Sequence, residues 1–197
     1  MNESEKELTS EESLKLINRM IHEAKGYFHE SGISALIWGF SILLCSLIAY
    51  AIDRNVFSFP FPPFYILVPI FFIQAWIGIR ENKKKKAKTF TDEAIDYVWL
   101  GYFLSAIAAC SANFAGITYM AVTIILYLTG FATFLTGMLA KFNYHKIAGV
   151  TCLLFASVSF FMQNPYIYLL LAFTAIMIWI IPGFILNITF KKQQYAR

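Results

Sequence analysis

The chain has 197 residues and a mass of 22.5 kDa, the size of one compact unit. Hydrophobic residues make up 58% of it and charged residues 14%, where an average soluble domain carries about 25% charged residues. At a mean hydropathy of +0.60 there is too little polar surface to cover a water-soluble globule, and intrinsic disorder, collagen and a disulfide scaffold are excluded with it.

Residues 1–30 form a charged arm whose pattern predicts one cytoplasmic amphipathic helix. Thr9 with Glu12 fits a capping box, and Glu11 and Glu12 suit the positive end of a helix. Leu14, Ile17, Ile21, Ala24 and Phe28 recur at spacings of 3, 4, 3 and 4, which aligns them in one apolar stripe. Three placements compete for this stripe. It lies on the inner headgroups, although seven acidic residues in the arm oppose that; it folds under the bundle; or it pairs with a protein partner, although two heptads are short for an independent coiled coil.

Six uncharged apolar runs follow, at about 33–52, 64–79, 97–112, 118–140, 147–162 and 166–190. A hydrocarbon core about 30 Å thick needs roughly 20 helical residues, so the shorter runs need snorkelling flanks or locally thinned lipid. The runs are continuous rather than alternating, which argues against strands. The expected fold is all-α: the arm 1–30, then a transmembrane bundle of six helices over 31–197. The first run begins after a long charged arm and is too long for a cleaved signal, so it is expected to insert as an uncleaved anchor. Between the first two runs the aromatic, proline-rich segment from Phe57 to Phe64 suits the headgroup layer. Short outer loops group the spans into three hairpins. Trp38-Gly39, Trp99-Leu100-Gly101 and Ala148-Gly149 near their starts, and Gly78, Gly137 and Gly183 near their ends, suggest a parallel two-span repeat. The competing explanation is that glycine is common in membrane helices anyway.

Basic residues test this division. The arm holds Lys6, Lys15, Arg19 and Lys25, and the second loop holds Arg80, Lys83, Lys84, Lys85, Lys86 and Lys88. Lys141 and Lys146 follow in the fourth loop, and Lys191, Lys192 and Arg197 in the tail, which leaves only Arg54 for the other face. The positive-inside rule therefore places both termini in the cytoplasm. The net charge of +4 is accounted for by this asymmetry and does not point to nucleic acid. Lys83, Lys84, Lys85, Lys86 and Lys88 form a candidate contact for anionic lipid headgroups or a protein partner. The acids Asp92, Glu93 and Asp96 next to them suit the first turns of the third span after a Thr91 cap.

Two ridges of small residues, Gly101, Ser105 and Ala109 in the third span and Thr129, Thr133 and Gly137 in the fourth, allow close helix packing inside the bundle or between copies of the chain. Pro69 and Pro182 fall inside spans and are expected to kink them. Cys45, Cys110 and Cys152 sit in apolar runs and read as small core residues. No Asp, Glu, Lys, Arg or His falls inside any of the six runs. Proton-coupled carriers usually need one there, and His22, His29 and His145 lie outside the runs, where they cannot serve a buried quinone or haem. Polar groups at depth are hydroxyls and a few amides, among them Gln74 and Thr133.

The arm from Ser13 to Gly26, the segments Leu36-Ile37-Trp38-Gly39 and Ile95-Asp96-Tyr97-Val98-Trp99-Leu100-Gly101, and Ile181-Pro182-Gly183 together resemble small six-span bacterial membrane proteins that begin with a charged amphipathic arm. The three two-span units also look, in architecture alone, like acid-resistance membrane proteins. The resemblance implies a bacterial inner-membrane protein and brings no activity or site with it. The expected function is non-enzymatic, without cofactor or metal: a membrane-embedded scaffold or a regulatory or stress-related protein. It would act through cytoplasmic contacts with anionic lipids, a second copy or a protein partner. The alternative is a channel or facilitator for a neutral or lipophilic small molecule. A third reading, a lipid-active enzyme, would use Asp92, Glu93, Asp96 and His145.

Overall fold

A computed structural model describes residues 32–84, 90–116, 120–162 and 165–195, without the side chains of 81–84, 190 and 193–195. The amphipathic stripe of the arm lies outside the described residues. All regular structure in them is helical: α1 (Ile33–Asp53), a 3-10 turn (Pro63–Ile66), α2 (Leu67–Lys84), α3 (Phe90–Phe114), α4 (Ala121–Leu139), α5 (Asn143–Ser159) and α6 (Tyr166–Ala175). A π-turn (Ile176–Ile180) then leads into α7 (Ile181–Tyr195).

Five segments among the described residues are long and apolar enough to cross a membrane: Ile33–Asp53, Pro63–Arg80, Phe90–Phe114, Ala121–Leu139 and Tyr166–Thr189. The bundle turns large apolar side chains outward all around it, among them Phe72, Leu104, Phe131, Leu154 and Phe184. Water does not tolerate such a surface on a monomer, whereas lipid is its natural solvent. The chain is an all-helical membrane protein.

Helix boundaries follow local chemistry. α1 starts after Gly32, whose φ is +70° and whose Cβ position would collide with the carbonyl of Gly183, so both backbone and space require glycine there. Pro63 opens the 3-10 turn and Pro69 falls in the first turn of α2, where a missing N–H costs little. α3 begins at Phe90, so Asp92, Glu93 and Asp96 are helical, the first two in the opening turn facing the favourable end of the dipole. The helix extends well ahead of its apolar run, and ionisable groups therefore do enter a candidate span. α4 ends in a Schellman turn: Phe142 N–H reaches Gly137 O at 3.0 Å, Lys141 N–H reaches Met138 O at 3.4 Å, and Lys141 takes φ +54°.

The closest helix pair is α4 with α5, antiparallel along their whole length. Gly137 meets the backbone of His145 and Lys146 at one end, and Gly149 and Gly130 meet Phe134 and Leu153 midway. The hydroxyls of Ser159 and Thr123 bond at 2.9 Å at the other end. A Cβ on Gly149 would lie 2.5 Å from the Phe134 nitrogen, so the helix axes are as close as glycine permits. Lipid gives helices no hydrophobic drive to associate, and small residues supply packing in its place. Leu126, Ala148, Cys152, Ala156 and Ile178 form the core around this pair. α1 packs along α6, the π-turn and α7, where Gly39 lies against Trp179 and Ile180. α3 packs on α4, and α2 makes the lightest contacts of the spans. The dominant pairs are thus α4 with α5 and α1 with the last span, which cut across the three sequential hairpins.

Candidate functional site

The start of α1, the middle of α2, the first half of α3, Thr133 of α4, the first turn of α5, the π-turn and the start of α7 surround a cavity of about 340 Å³. That volume lies in the range of small-molecule sites. Rings from four elements form its walls. Trp99 and Trp179 have centroids 4.9 Å apart, and Phe103 meets Trp38 at 5.7 Å and Phe71 at 5.3 Å, both edge-on. Ser34, Gln74, Asp96, Thr133 and His145 supply the polar part of the lining.

Gln74 ties α2 to α1. Its Nε2 donates to the Ser34 carbonyl at 2.8 Å, and its Oε1 accepts from the Ser34 hydroxyl. This reciprocal pair links the two helices in the cavity wall.

Thr133 behaves differently from the other threonines of α4. Thr129 and Thr136 donate to the carbonyls of Ile125 and Ala132 at 2.7 and 2.8 Å, and Thr123 bonds to Ser159. Such back-bonding is the usual refuge of a hydroxyl inside a helix. The Thr133 hydroxyl has no hydrogen-bond partner among the described residues, although its residue is 0% exposed. The indole N–H of Trp38, at 9% exposure, also has none. Leaving a buried polar group unsatisfied costs about 1–3 kcal/mol. Both residues line the same cavity.

The π-turn has a traceable cause. Ile181 N–H bonds back to Ile176 O, five residues earlier, and Pro182 has no N–H to offer Met177 O. The Tyr144 hydroxyl donates to that carbonyl at 2.8 Å instead. The expected effect of Pro182 on the helix thus takes the form of a π-turn. It re-aims the wall of the cavity, since Ile178, Trp179 and Pro182 all line it.

Other residues singled out by sequence fall as follows. Thr129 and Gly137 are buried, Thr129 bonding the Tyr102 hydroxyl at 3.2 Å. Ala109 is buried, but Gly101 and Ser105 face outward, with open space around Gly101. Lys83 and Lys84 end α2 with their side chains outside the described residues, as are Lys85, Lys86 and Lys88 entirely. His145 is not in a solvated loop: it is buried in the first turn of α5 and lines the cavity together with Asp96. Asp92 and Glu93 are not in that lining. Cys45 and Cys152 are buried and donate to the carbonyls of Pro63 and Leu126, whereas Cys110 is exposed. Among the described residues no group of three His, Cys, Asp or Glu is placed to hold a metal ion. Sequence reading missed the aromatic walls. The signal was the tryptophans near the starts of the first and third spans, Trp38 and Trp99, which it took for marks of a repeat.

No family model, curated protein or solved structure matches this chain.

Proposed function

We propose that this chain is an integral protein of the bacterial inner membrane that crosses it six times with both termini in the cytoplasm, and that its cavity takes a neutral or lipophilic small molecule. The observation that carries the second part is the cavity of about 340 Å³ itself, walled by Trp38, Phe71, Trp99, Phe103 and Trp179. The protein binds or passes its ligand and does not transform it. A scaffold acting through the arm and the lysine cluster rests on residues outside the described ones and draws no support from the cavity.

The sixth crossing is supported by α5, which has 17 residues and so falls just short of a full-length span. It runs antiparallel to α4 from end to end, so it traverses whatever depth α4 traverses. Its outward residues Ile147, Val150, Leu154 and Val158 form an unbroken apolar stripe fit for lipid. An even number of crossings brings the basic segments to one side, and the cavity then opens in the cytoplasmic half.

Two experiments test this. Reporter fusions after Gly116, Met162 and Arg197 are expected to read outside, outside and inside; a tail reading outside leaves five crossings. Native mass spectrometry of the protein extracted into nanodiscs is expected to show a retained small molecule other than phospholipid. Ala75→Trp, which fills the cavity from α2, is expected to remove it. A wild-type protein that retains nothing returns the scaffold to first place.

A further inference from the structure

We propose that α2 is a lateral gate: it hinges at the 3-10 turn Pro63–Ile66, is latched by Gln74 on Ser34, and opens the cavity to the surrounding lipid. This rests on the reading of the cavity as a binding site and adds the route by which its occupant enters and leaves.

The hinge end is fixed. The Cys45 thiol of α1 donates to the Pro63 carbonyl at 3.3 Å, and Pro63 is the one buried residue of the span Pro63–Arg80. The 3-10 turn lies against α1 more extensively than the whole of α2 does, although it is much the shorter. Apart from isolated contacts, α2 packs on no helix but α1 among the described residues. Pro69 has no N–H to complete a helical bond to the Tyr65 carbonyl, so the junction of turn and helix lacks one of the bonds that would stiffen it.

The latch lies further along the same pair. Ser34 to Cys45 and Pro63 to Gln74 are equal lengths of chain, so the two segments run antiparallel in register for about 16 Å between anchor and latch. There the Gln74 amide holds both the carbonyl and the hydroxyl of Ser34. On the other side of α2, the Phe71 ring meets Phe103 of α3 edge-on at 5.3 Å. A neutral hydrogen-bonded pair and a ring contact are closures that thermal motion breaks and remakes.

The two faces of α2 make opening cheap. Phe71, Gln74, Ala75 and Gly78 recur at helical spacing and line the cavity. Past the latch this inner face is bare, with nothing within 4 Å of the Gly78 Cβ position. Phe72, Ile73, Trp76 and Ile79 are exposed on the outside. When α2 swings outward these side chains exchange lipid for lipid, so opening costs little beyond the latch and the ring contact. The other long walls are held in place, α1 along the last span and α3 along α4. α2 is therefore the wall that yields.

The test uses the full chain in nanodiscs of phosphatidylethanolamine and phosphatidylglycerol. In a Cys110→Ser background, with the buried Cys45 and Cys152 kept, spin labels are placed on exposed positions as two pairs: Ile79→Cys with Phe131→Cys, and Val68→Cys with Phe131→Cys. Double electron–electron resonance reads the distances. The Ile79 pair, past the latch, is expected to show a minor longer component that Gln74→Leu raises about fivefold relative to the main one, the worth of an interhelical hydrogen bond. Ser34→Ala is expected to raise it less. The Val68 pair, beside the hinge, is expected to stay single and narrow in every variant. Equal distributions for the Ile79 pair with and without Gln74→Leu overturn the latch and the gate with it. Broadening of both pairs overturns the hinge, because it shows α2 detaching or the fold loosening as a whole.

A second measurement reads where the gate opens. Trp76→Phe leaves Trp38, Trp99 and Trp179, all in the cavity wall, as the chain's tryptophans. Quenching of their fluorescence by phosphatidylcholine brominated at carbons 6 and 7 of one acyl chain is expected to rise with Gln74→Leu. Unchanged quenching while the Ile79 pair lengthens overturns opening toward lipid. Neither measurement uses the unidentified ligand, so failure of the gate leaves the cavity reading to native mass spectrometry, and an empty cavity there leaves the motion as measured.

Discussion

α4 and α2 are both apolar enough to cross a membrane, yet 44% of the α4 span is buried inside the protein and only 6% of the α2 span. The difference lies in residue size. α4 presents Thr129, Gly130, Ala132, Thr133, Thr136 and Gly137 to its neighbours, and all are buried. α2 carries Ile, Phe and Trp side chains, and its one glycine, Gly78, has nothing within 4 Å of its Cβ position. Lipid solvates a large apolar side chain as well as protein does, so bulk gives no reason to leave it. Small residues let backbones approach, and backbone approach brings dispersion contacts that lipid cannot match. The molecule thus has a tight half, α4 with α5, and a loose helix, α2, with the cavity bounded by both.

Four substitutions press on that contrast. The largest effect is expected from Gly149→Val, which forces α5 off the Phe134 backbone. It should cost about 3 kcal/mol or more, at the upper end of overpacking changes. Thermal unfolding in detergent checks it, and a Tm equal to wild type would mean that α4 and α5 do not form the core. A middle effect belongs to the clasp that holds α2. Ser34→Ala and Gln74→Leu should each cost about 1 kcal/mol, in the range of interhelical hydrogen bonds in membranes. The double substitution should cost little more than Gln74→Leu alone, because Gln74→Leu removes both bonds and Ser34→Ala only the hydroxyl's. Hydrogen exchange should rise in α2 and not in α4 or α5; equal exchange throughout would show that the loose helix is not held by this pair. The smallest effect is expected from Gly101→Leu, which points a side chain into open space. Stability should change by no more than about 0.5 kcal/mol. Size by light scattering should stay the same, and a smaller particle would make this ridge an interface between copies.

Much of the helical plan was legible. Apolar runs bounded by charges place the helices because desolvating a charge in lipid is costly and the runs are long. Boundaries were less legible where the two criteria part. Asp92, Glu93 and Asp96 end an apolar run, but they also suit a helix start, so α3 extends to Phe90. Cys110 and Cys152 show the same limit at the level of a single residue. Both sit in apolar runs, yet one faces outward and the other sits in the core. In a chain apolar on all sides, periodicity does not mark which face of a helix meets protein.

The sequence by itself determined that this chain is built for lipid and roughly where its helices lie. Those properties are sums over neighbouring residues, and a short stretch of chain contains the whole sum. Only the tertiary structure decided that α4 pairs with α5, that Pro182 becomes a π-turn, and that Trp38, Thr133 and His145 share one cavity. Those three residues come from three helices, and no local sum contains the distance between them.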